Sequence, residues 1–250
     1  MKKLIIQLKQ ILLKRKNNSL TIVGVGPGDS SLLTSAAIKA IKKANIIFYP
    51  ISGDKQTSYA AEVVEKYVKF KKKFPIIFPM ARKQFNAEEI WEKASRLIIS
   101  SIQEGNSAVL LCLGDPLIYG SSSYISKVIR RNHPEVLVKI LPGISSVSAA
   151  AAIYNWDLLR KGEILKILEC PDDPNTFENF YAKEFNNNTV IVLMKVGKRW
   201  PWLKEKMIQK GIIDKSFVAV NVGMKDQLIE KAYKISSENL PYFSLLFFRN

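Results

Sequence analysis

Three short stretches carry the residue types from which this chain could build a ligand site: Gly24-Val25-Gly26-Pro27-Gly28-Asp29, Leu113-Gly114-Asp115-Pro116, and Pro142-Gly143-Ile144-Ser145-Ser146. Each follows an apolar run and precedes a helical pattern. Glycine there permits left-handed turns and close backbone approach, and a helix start offers free amides to an anion. Read as a dinucleotide fingerprint, the first stretch is a poor match, because Asp29 stands where G-x-G-x-x-G needs its last glycine and would turn negative charge toward a pyrophosphate. Read as G-x-G-x-G of the common methyltransferase fold it matches by letter. The next strand, however, ends in Phe48-Tyr49-Pro50 without the carboxylate that would hold a ribose. No Lys-Ser or Lys-Thr pair follows the glycines, which excludes a Walker loop. The plain alternative is a tight turn, with Asp29 or Ser30 capping a helix that starts near Ser31.

The elements that must hold these stretches alternate strand and helix. Hydrophobic spacing predicts strands over 20–25, 45–49, 74–78, 108–113 and 136–141, and helices over 31–44, 58–70 and 87–103, with further helices after the second and third glycine stretches. Three strand ends meeting three Gly/Pro loops is the pattern of an open, mostly parallel sheet, whose ligands bind beyond one edge. After about residue 157 the pattern changes. Strands over 163–170, 189–196, 216–222 and 240–248 are joined by only two convincing helices, 176–185 and 201–210. The expected organisation is therefore α/β with two domains: a basic extension 1–18, a parallel domain 19–155 and a mixed α/β domain 156–250.

Composition narrows the function classes. The chain has 250 residues, 47% hydrophobic, enough to bury a sizeable core. Its longest apolar runs fall short of the roughly 18 residues that span a bilayer, so no membrane is expected. The basic start lacks a cleavage-site pattern and is expected as a helix preceding the domain. Two cysteines without C-x-x-C, and one histidine, argue against structural zinc and a disulfide framework, and fit a reduced, cytoplasmic setting. The net charge is +16, with six basic residues in the first 18 and most of the excess on the body. Such a field draws nucleic acid, anionic lipid or a small polyanion alike, and solubility is the bland reading. KFKKKF at 69–74 reads as a solvated helix end.

Taken together, GVGPGD followed by LLT, LCLGDPLIYG and LPGISSVSAAAA resemble the tetrapyrrole (corrin/porphyrin) methyltransferase family, which uses S-adenosylmethionine. The resemblance covers about residues 20–248. FYPIS at 48–52, VLMKVGK at 192–198 and LPYFSLL at 240–246 are similar to the branch that methylates C20 of precorrin-2 or its cobalt form. Ser30 departs from the usual proline, and 170–188 matches loosely. The resemblance implies a two-domain homodimer with the co-substrate in an interdomain cleft. It implies co-substrate contacts at Gly114, Asp115, Ile118, Ser145, Ser146, Met194 and Ala219 or nearby backbone. It also implies that Gly26, Pro27, Gly28 and Asp29 face the tetrapyrrole rather than a phosphate.

Methyl transfer from a sulfonium is an in-line displacement that asks mainly for positioning, plus an acceptor for the proton leaving C20. Asp115 is the candidate acceptor, with capping of the following turn as its alternative; Asp29 is a poorer one. Precorrin-2 carries carboxylate arms, so Lys55, Lys83 and above all Arg82, which can pair a carboxylate in bidentate fashion, are candidate substrate contacts. His133 reads as a surface turn, Trp200 and Trp202 as packing, and Cys112 as a buried hydrophobe. No metal site is expected. Methylation of another corrinoid carbon or of RNA is the alternative activity, and a non-catalytic nucleic-acid-binding protein a third reading without a supporting motif.

Overall fold

The structure, a computed structural model, describes residues 19–53, 57–78, 87–103, 105–185 and 188–249. The expected basic extension 1–18 lies outside the described residues, as do Lys55, Arg82 and Lys83. Backbone contacts divide the chain after Ser145 into two units. The sequence reading drew that division at 155–156, so the alanine-rich helix Ser146–Ile153 goes with the second unit here.

The first unit is a five-stranded parallel sheet: β1 (Ser19–Gly24), β2 (Ile46–Ile51), β3 (Lys72–Ile77), β4 (Ala108–Cys112) and β5 (Leu137–Leu141), in the order β3-β2-β4-β1-β5. Helices α1 (Ser35–Lys43), α2 (Tyr59–Val63), α3 (Glu65–Val68), α4 (Ala87–Gln103) and α5 (Ser122–Asn132) complete it. The central strands are continuous apolar runs because both faces are covered. Leu20, Ile22, Phe48 and Leu110 pack with Ile98, Ile102, Ile125 and Ile129 of α4 and α5. Val23, Ile47, Val109 and Leu111 point the other way, onto Ala37 and Ile41 of α1, Val63 of α2 and Val68 of α3.

Three local expectations are corrected. The helix expected from Ser31 starts at Ser35, because two cap signals compete: Asp29 Oδ1 accepts from Ser31 N–H at 2.7 Å and closes a single 3-10 turn, Ser30–Leu32, while Thr34 Oγ1 accepts from Ala37 N–H at 3.1 Å and caps α1. The helix expected over 58–70 breaks at Val64, whose φ of −106° and ψ of 7° fall outside the helical well. In the basic KFKKKF stretch Lys71 is more than a solvated charge. Its ammonium donates to the carbonyls of Lys42 at 2.9 Å and Ala44 at 2.6 Å, satisfying orphan acceptors at the end of α1.

The second unit contains α6 (Ser146–Ile153), β6 (Ile164–Glu169), α7 (Pro174–Glu184), β7 (Thr189–Met194), α8 (Trp200–Gln209), β8 (Ser216–Val220), β9 (Leu228–Lys231) and β10 (Ser244–Arg249). Its sheet has the order β6-β7-β10-β8-β9, with only β6 and β7 parallel. On one face Ile191, Leu193, Val218, Leu246 and Phe248 pack against Phe177 of α7 and Trp200, Leu203 and Met207 of α8. On the other, Phe217 stacks on Phe247 at 4.3 Å and on Tyr154 at 4.2 Å. The mixed character expected from sequence is present, with β9 as an added short strand.

Candidate active site

In the first unit the three glycine stretches converge on one another at the carboxyl ends of β1, β4 and β5. Gly114 N–H donates to Gly26 O at 2.7 Å and Gly26 N–H to Gly114 O at 3.3 Å, an isolated antiparallel bridge that extends the β1–β4 pairing past the strands. Val25 N–H to Cys112 O at 2.9 Å precedes it. The third stretch closes on the first two backbone to backbone. A Cβ on Gly24 would lie 2.4 Å from Gly143 N and 2.8 Å from Gly114 O, and one on Gly143 would lie 2.2 Å from Gly114 O. These two glycines are therefore required by contact between loops, not by a bound phosphate. Gly26 and Gly114 are required by conformation, at φ of 79° and 71°. The space a side chain would fill at Gly114 is open.

Asp115 sits beside that bridge, half-buried. Its Oδ1 accepts from Leu117 N–H at 2.7 Å, and Ile118 N–H donates to its carbonyl at 3.2 Å. It thus caps a turn, whereas the helix α5 begins only at Ser122. Asp29 is exposed, and its bond to the Ser31 backbone holds its carboxyl below the usual range. Cys112, at the end of β4, is buried, and burial pushes its thiol up to about 11. A neutral buried thiol is no nucleophile. His133 ends α5 and lies 3.4 Å from the Glu135 carboxylate, a turn position as expected.

In the second unit two of the co-substrate candidates, Met194 and Ala219, share one cross-strand row. Register pairs Met194 with Leu245 and Leu245 with Ala219. All three thus project from the same face of the sheet, opposite the α7 and α8 core. Adjacent strands lie about 4.8 Å apart, so Met194 and Ala219 are separated by about 10 Å. Met194 is partly exposed, and Ala219 is fully buried.

Beyond this row two of the three segments on which the C20-branch likeness rests, 192–198 and 240–246, are tied together. Val196 N–H donates to Ser244 O at 3.2 Å, Gly197 N–H to Ser244 Oγ at 2.9 Å, and Leu240 N–H to Gly197 O at 3.4 Å. The strand expected from 240 begins only at Ser244: Leu240 bonds to Gly197 in the β7–α8 turn instead, and Phe243 O accepts from Asn221 N–H at 2.8 Å. Lys195 adds an ion pair to Glu169 at 3.4 Å, and Arg199, paired with Asp172, donates to Lys195 O at 3.0 Å.

Backbone strain marks the same places. Among the described residues four non-glycines have left-handed φ, and three of them, Tyr119, Lys195 and Asn221, follow the candidates Ile118, Met194 and Ala219 within two residues. Such conformations cost about 1–3 kcal/mol and persist where the surroundings over-determine them, commonly at ligand sites. Sequence reasoning passed over Tyr119 and Asn221, since left-handed geometry in a non-glycine leaves little trace in composition.

The model for Tetrapyrrole (Corrin/Porphyrin) Methylases matches residues 19–233. The chain belongs to the tetrapyrrole methylase family. It is similar to a Methanocaldococcus jannaschii protein named "Probable cobalt-precorrin-2 C(20)-methyltransferase", 34% identical over 69% of this chain and 70% of that protein. It is also similar to a Sinorhizobium precorrin-2 C(20)-methyltransferase, 24% identical over 90% and 92%. Among solved structures, cobalt precorrin-4 methyltransferase CbiF superposes with a TM-score of 0.70 at 17% identity, over 94% of this chain and 96% of that one, which shows the shared methylase fold. Among the described residues of this methylase no group of three or more His, Cys, Asp or Glu could hold a metal, and no helix is long and apolar enough to cross a membrane.

Proposed function

We propose that the chain transfers a methyl group from S-adenosylmethionine to C20 of precorrin-2 or cobalt-precorrin-2, in cobalamin biosynthesis. The observation that carries this reading is the physical joining of Lys195–Gly197 to Leu240–Ser244, which lie in two of the three segments similar to the C20 branch, in a chain similar to proteins named as C20-methyltransferases. The residues present fit the co-substrate. Gly114 offers backbone with open space beside it, and Met194 offers a partly exposed thioether on an apolar row. Gly114, Asp115, Ile118, Ser145, Ser146, Met194 and Ala219 are the proposed contacts. Gly26, Pro27, Gly28 and Asp29 are proposed to face the tetrapyrrole, and Arg82 to pair one of its carboxylate arms.

The co-substrate supplies an electrophilic methyl group. The chain's task is to hold the acceptor carbon in line with it and to exclude water. The interlocked loops around Gly24, Gly114 and Gly143 serve positioning, because backbone packed on backbone has little freedom to shift. Asp115, oriented by the Leu117 amide, is the proposed acceptor of the proton that leaves C20 once the new carbon–carbon bond has formed. Assembly as a cytoplasmic homodimer belongs to the same proposal and rests on the family resemblance; the two cysteines are free and buried, in keeping with a reducing compartment.

Calorimetric titration of the full chain with S-adenosylmethionine tests the reading. One saturable site is expected, together with methylation of the tetrapyrrole and none of structured RNA. Absence of saturable binding, or methylated RNA beside an untouched tetrapyrrole, would sink it.

A further inference from the structure

The edge of the first unit opposite its glycine stretches is more basic than helix capping requires. Parallel register sets Leu20, Ala108, Ile46 and Lys72 in one row, so β1, β4, β2 and β3 all start at this edge. Helix α1, which leads into β2 there, carries Lys39, Lys42 and Lys43. Residues 66–74 add Lys66, Lys69, Lys71, Lys72 and Lys73; neither stretch holds a carboxylate, although Glu62 and Glu65 stand just before the second. The two stretches form one surface. Lys42 and Lys66 both lie over the Tyr67 ring, at 5.6 and 5.1 Å, and the Lys71 ammonium bonds to the carbonyls of Lys42 and Ala44. The dipole of α1 accounts for Lys42, Lys43 and Lys71. It does not account for the rest, and among the described residues none of these lysines pairs with a carboxylate, whereas in the second unit Lys166 pairs with Glu184, and Lys206 and Lys210 with Glu178. Within this field Phe70, in the turn that follows α3, is 94% exposed, with the Lys69 ammonium 5.7 Å from its ring centroid. Its turn is fixed by the Lys71 N–H, which donates to Val68 O at 3.1 Å, and by the Lys71 side chain. A whole aromatic ring left in water amid unpaired cations is a contact surface rather than a defect of packing.

We propose that this edge docks on the surface of a bilayer that contains anionic lipid, Phe70 entering the headgroup region and the surrounding lysines facing the lipid phosphates. Lipid fits these observations better than nucleic acid does. The described cations of the patch are all lysines, mobile point charges that suit a fluid layer of headgroups, while RNA recognition draws on arginine forks and on grooves lined with stacking rings. A lone ring projecting from a turn forms no groove, but a soft interface can take it in. Residues 1–18 join the described chain at Ser19, the start of β1 on this same edge, and bring six more basic residues interleaved with Leu and Ile, a composition that suits a membrane surface. Lying on a bilayer is distinct from crossing one, for which no helix among the described residues is long and apolar enough. The glycine stretches sit at the carboxyl ends of the same strands, so docking leaves them uncovered. The inference is independent of the proposed function.

The test is co-sedimentation of the full-length chain with phosphatidylcholine vesicles and with phosphatidylcholine–phosphatidylglycerol vesicles, with a structured RNA titrated in parallel. The variants are Phe70→Ala, Phe70→Trp, the combination Lys69→Gln, Lys72→Gln and Lys73→Gln, and a control that removes the same charge from exposed lysines of the second unit, Lys161→Gln, Lys215→Gln and Lys225→Gln. Thermal unfolding of each checks that these surface changes leave the fold intact. The wild type is expected to sediment with the anionic vesicles and not with the neutral ones. Phe70→Ala should weaken that binding about tenfold, Phe70→Trp should keep it, and the lysine combination at 69, 72 and 73 should weaken it about a hundredfold. The control should bind like the wild type. Failure of the wild type to bind anionic vesicles overturns the inference, as does RNA binding that depends on Phe70 and these lysines while vesicles go unbound. A control as weak as the patch combination, or a Phe70→Ala variant that binds like the wild type, also overturns it, since net charge would then be acting without this surface.

Discussion

Replacing Gly143 by alanine tests whether the glycine stretches are interlocked loops. Gly143 does not have the left-handed backbone found at Gly26 and Gly114, so the substitution carries no conformational penalty and isolates the contact. The new methyl group would begin 2.2 Å from Gly114 O and 2.8–2.9 Å from the backbone of Gly24, against an ordinary contact of 3.4 Å, so the loops must part by about 1 Å. Both near neighbours are backbone, which has no rotamer to yield. Such overpacking costs about 1–3 kcal/mol, and parting the loops also strains the Gly26–Gly114 bridge. For a unit of this size the melting temperature should fall by about 3–10 °C. Activity should fall further than stability does, by about a hundredfold at temperatures where the variant remains folded, since a displacement of this size is enough to spoil in-line geometry. Differential scanning calorimetry and methyl transfer on the same preparation separate the two effects. A Gly143→Ala protein that melts and turns over like wild type would refute the reasoning.

Asp115→Asn keeps an oxygen for the Leu117 amide, so it should preserve stability to within about 1 kcal/mol yet lower the methyl-transfer rate; if Asn supports the full rate, Asp115 is a cap alone. Cys112 should resist a thiol reagent in the folded protein at pH 8, because burial raises its thiol to about 11, and react only as the chain unfolds; rapid labelling of the native protein at Cys112 would contradict this. Glu178, bonded to Lys210 at 2.5 Å and Lys206 at 3.0 Å, has its carboxyl held below the usual range, first by the Lys210 bond and then by the Lys206 bond. A lowered folded value stabilises above the unfolded carboxylate range and is lost as the pH falls through the folded one. Glu178→Gln should therefore flatten the decline of melting temperature in acid, and an unchanged pH profile would argue that the pair contributes nothing there.

Much of this was legible in the sequence because parallel strands buried on both faces read as unbroken apolar runs, as AVLLC at 108–112 does. The loop residues were legible by type and not by reason. Gly24, Gly114 and Gly143 are distant in sequence, so nothing local distinguishes a glycine required by a neighbouring loop from one required by a ligand. Asp29 and Thr34 each offered a cap, and only the three-dimensional path decides which one starts the helix. The strand β9, LIEK, is short and half polar, and its pairing with β8 rather than its own pattern makes it a strand. The shared row of Met194 and Ala219 depends on β10 lying between β7 and β8, an order that no local pattern encodes.

The central claim concerns one bond, the new methyl on C20. The direct measurement is a single turnover with S-adenosylmethionine labelled in its methyl group, offered metal-free precorrin-2 and cobalt-precorrin-2 in parallel, with the label located by NMR of the product. The account predicts label at C20 of at least one macrocycle, and the pair of substrates decides whether cobalt is present when the enzyme acts. Label at any other carbon, or none in either macrocycle despite saturable co-substrate binding, would contradict it.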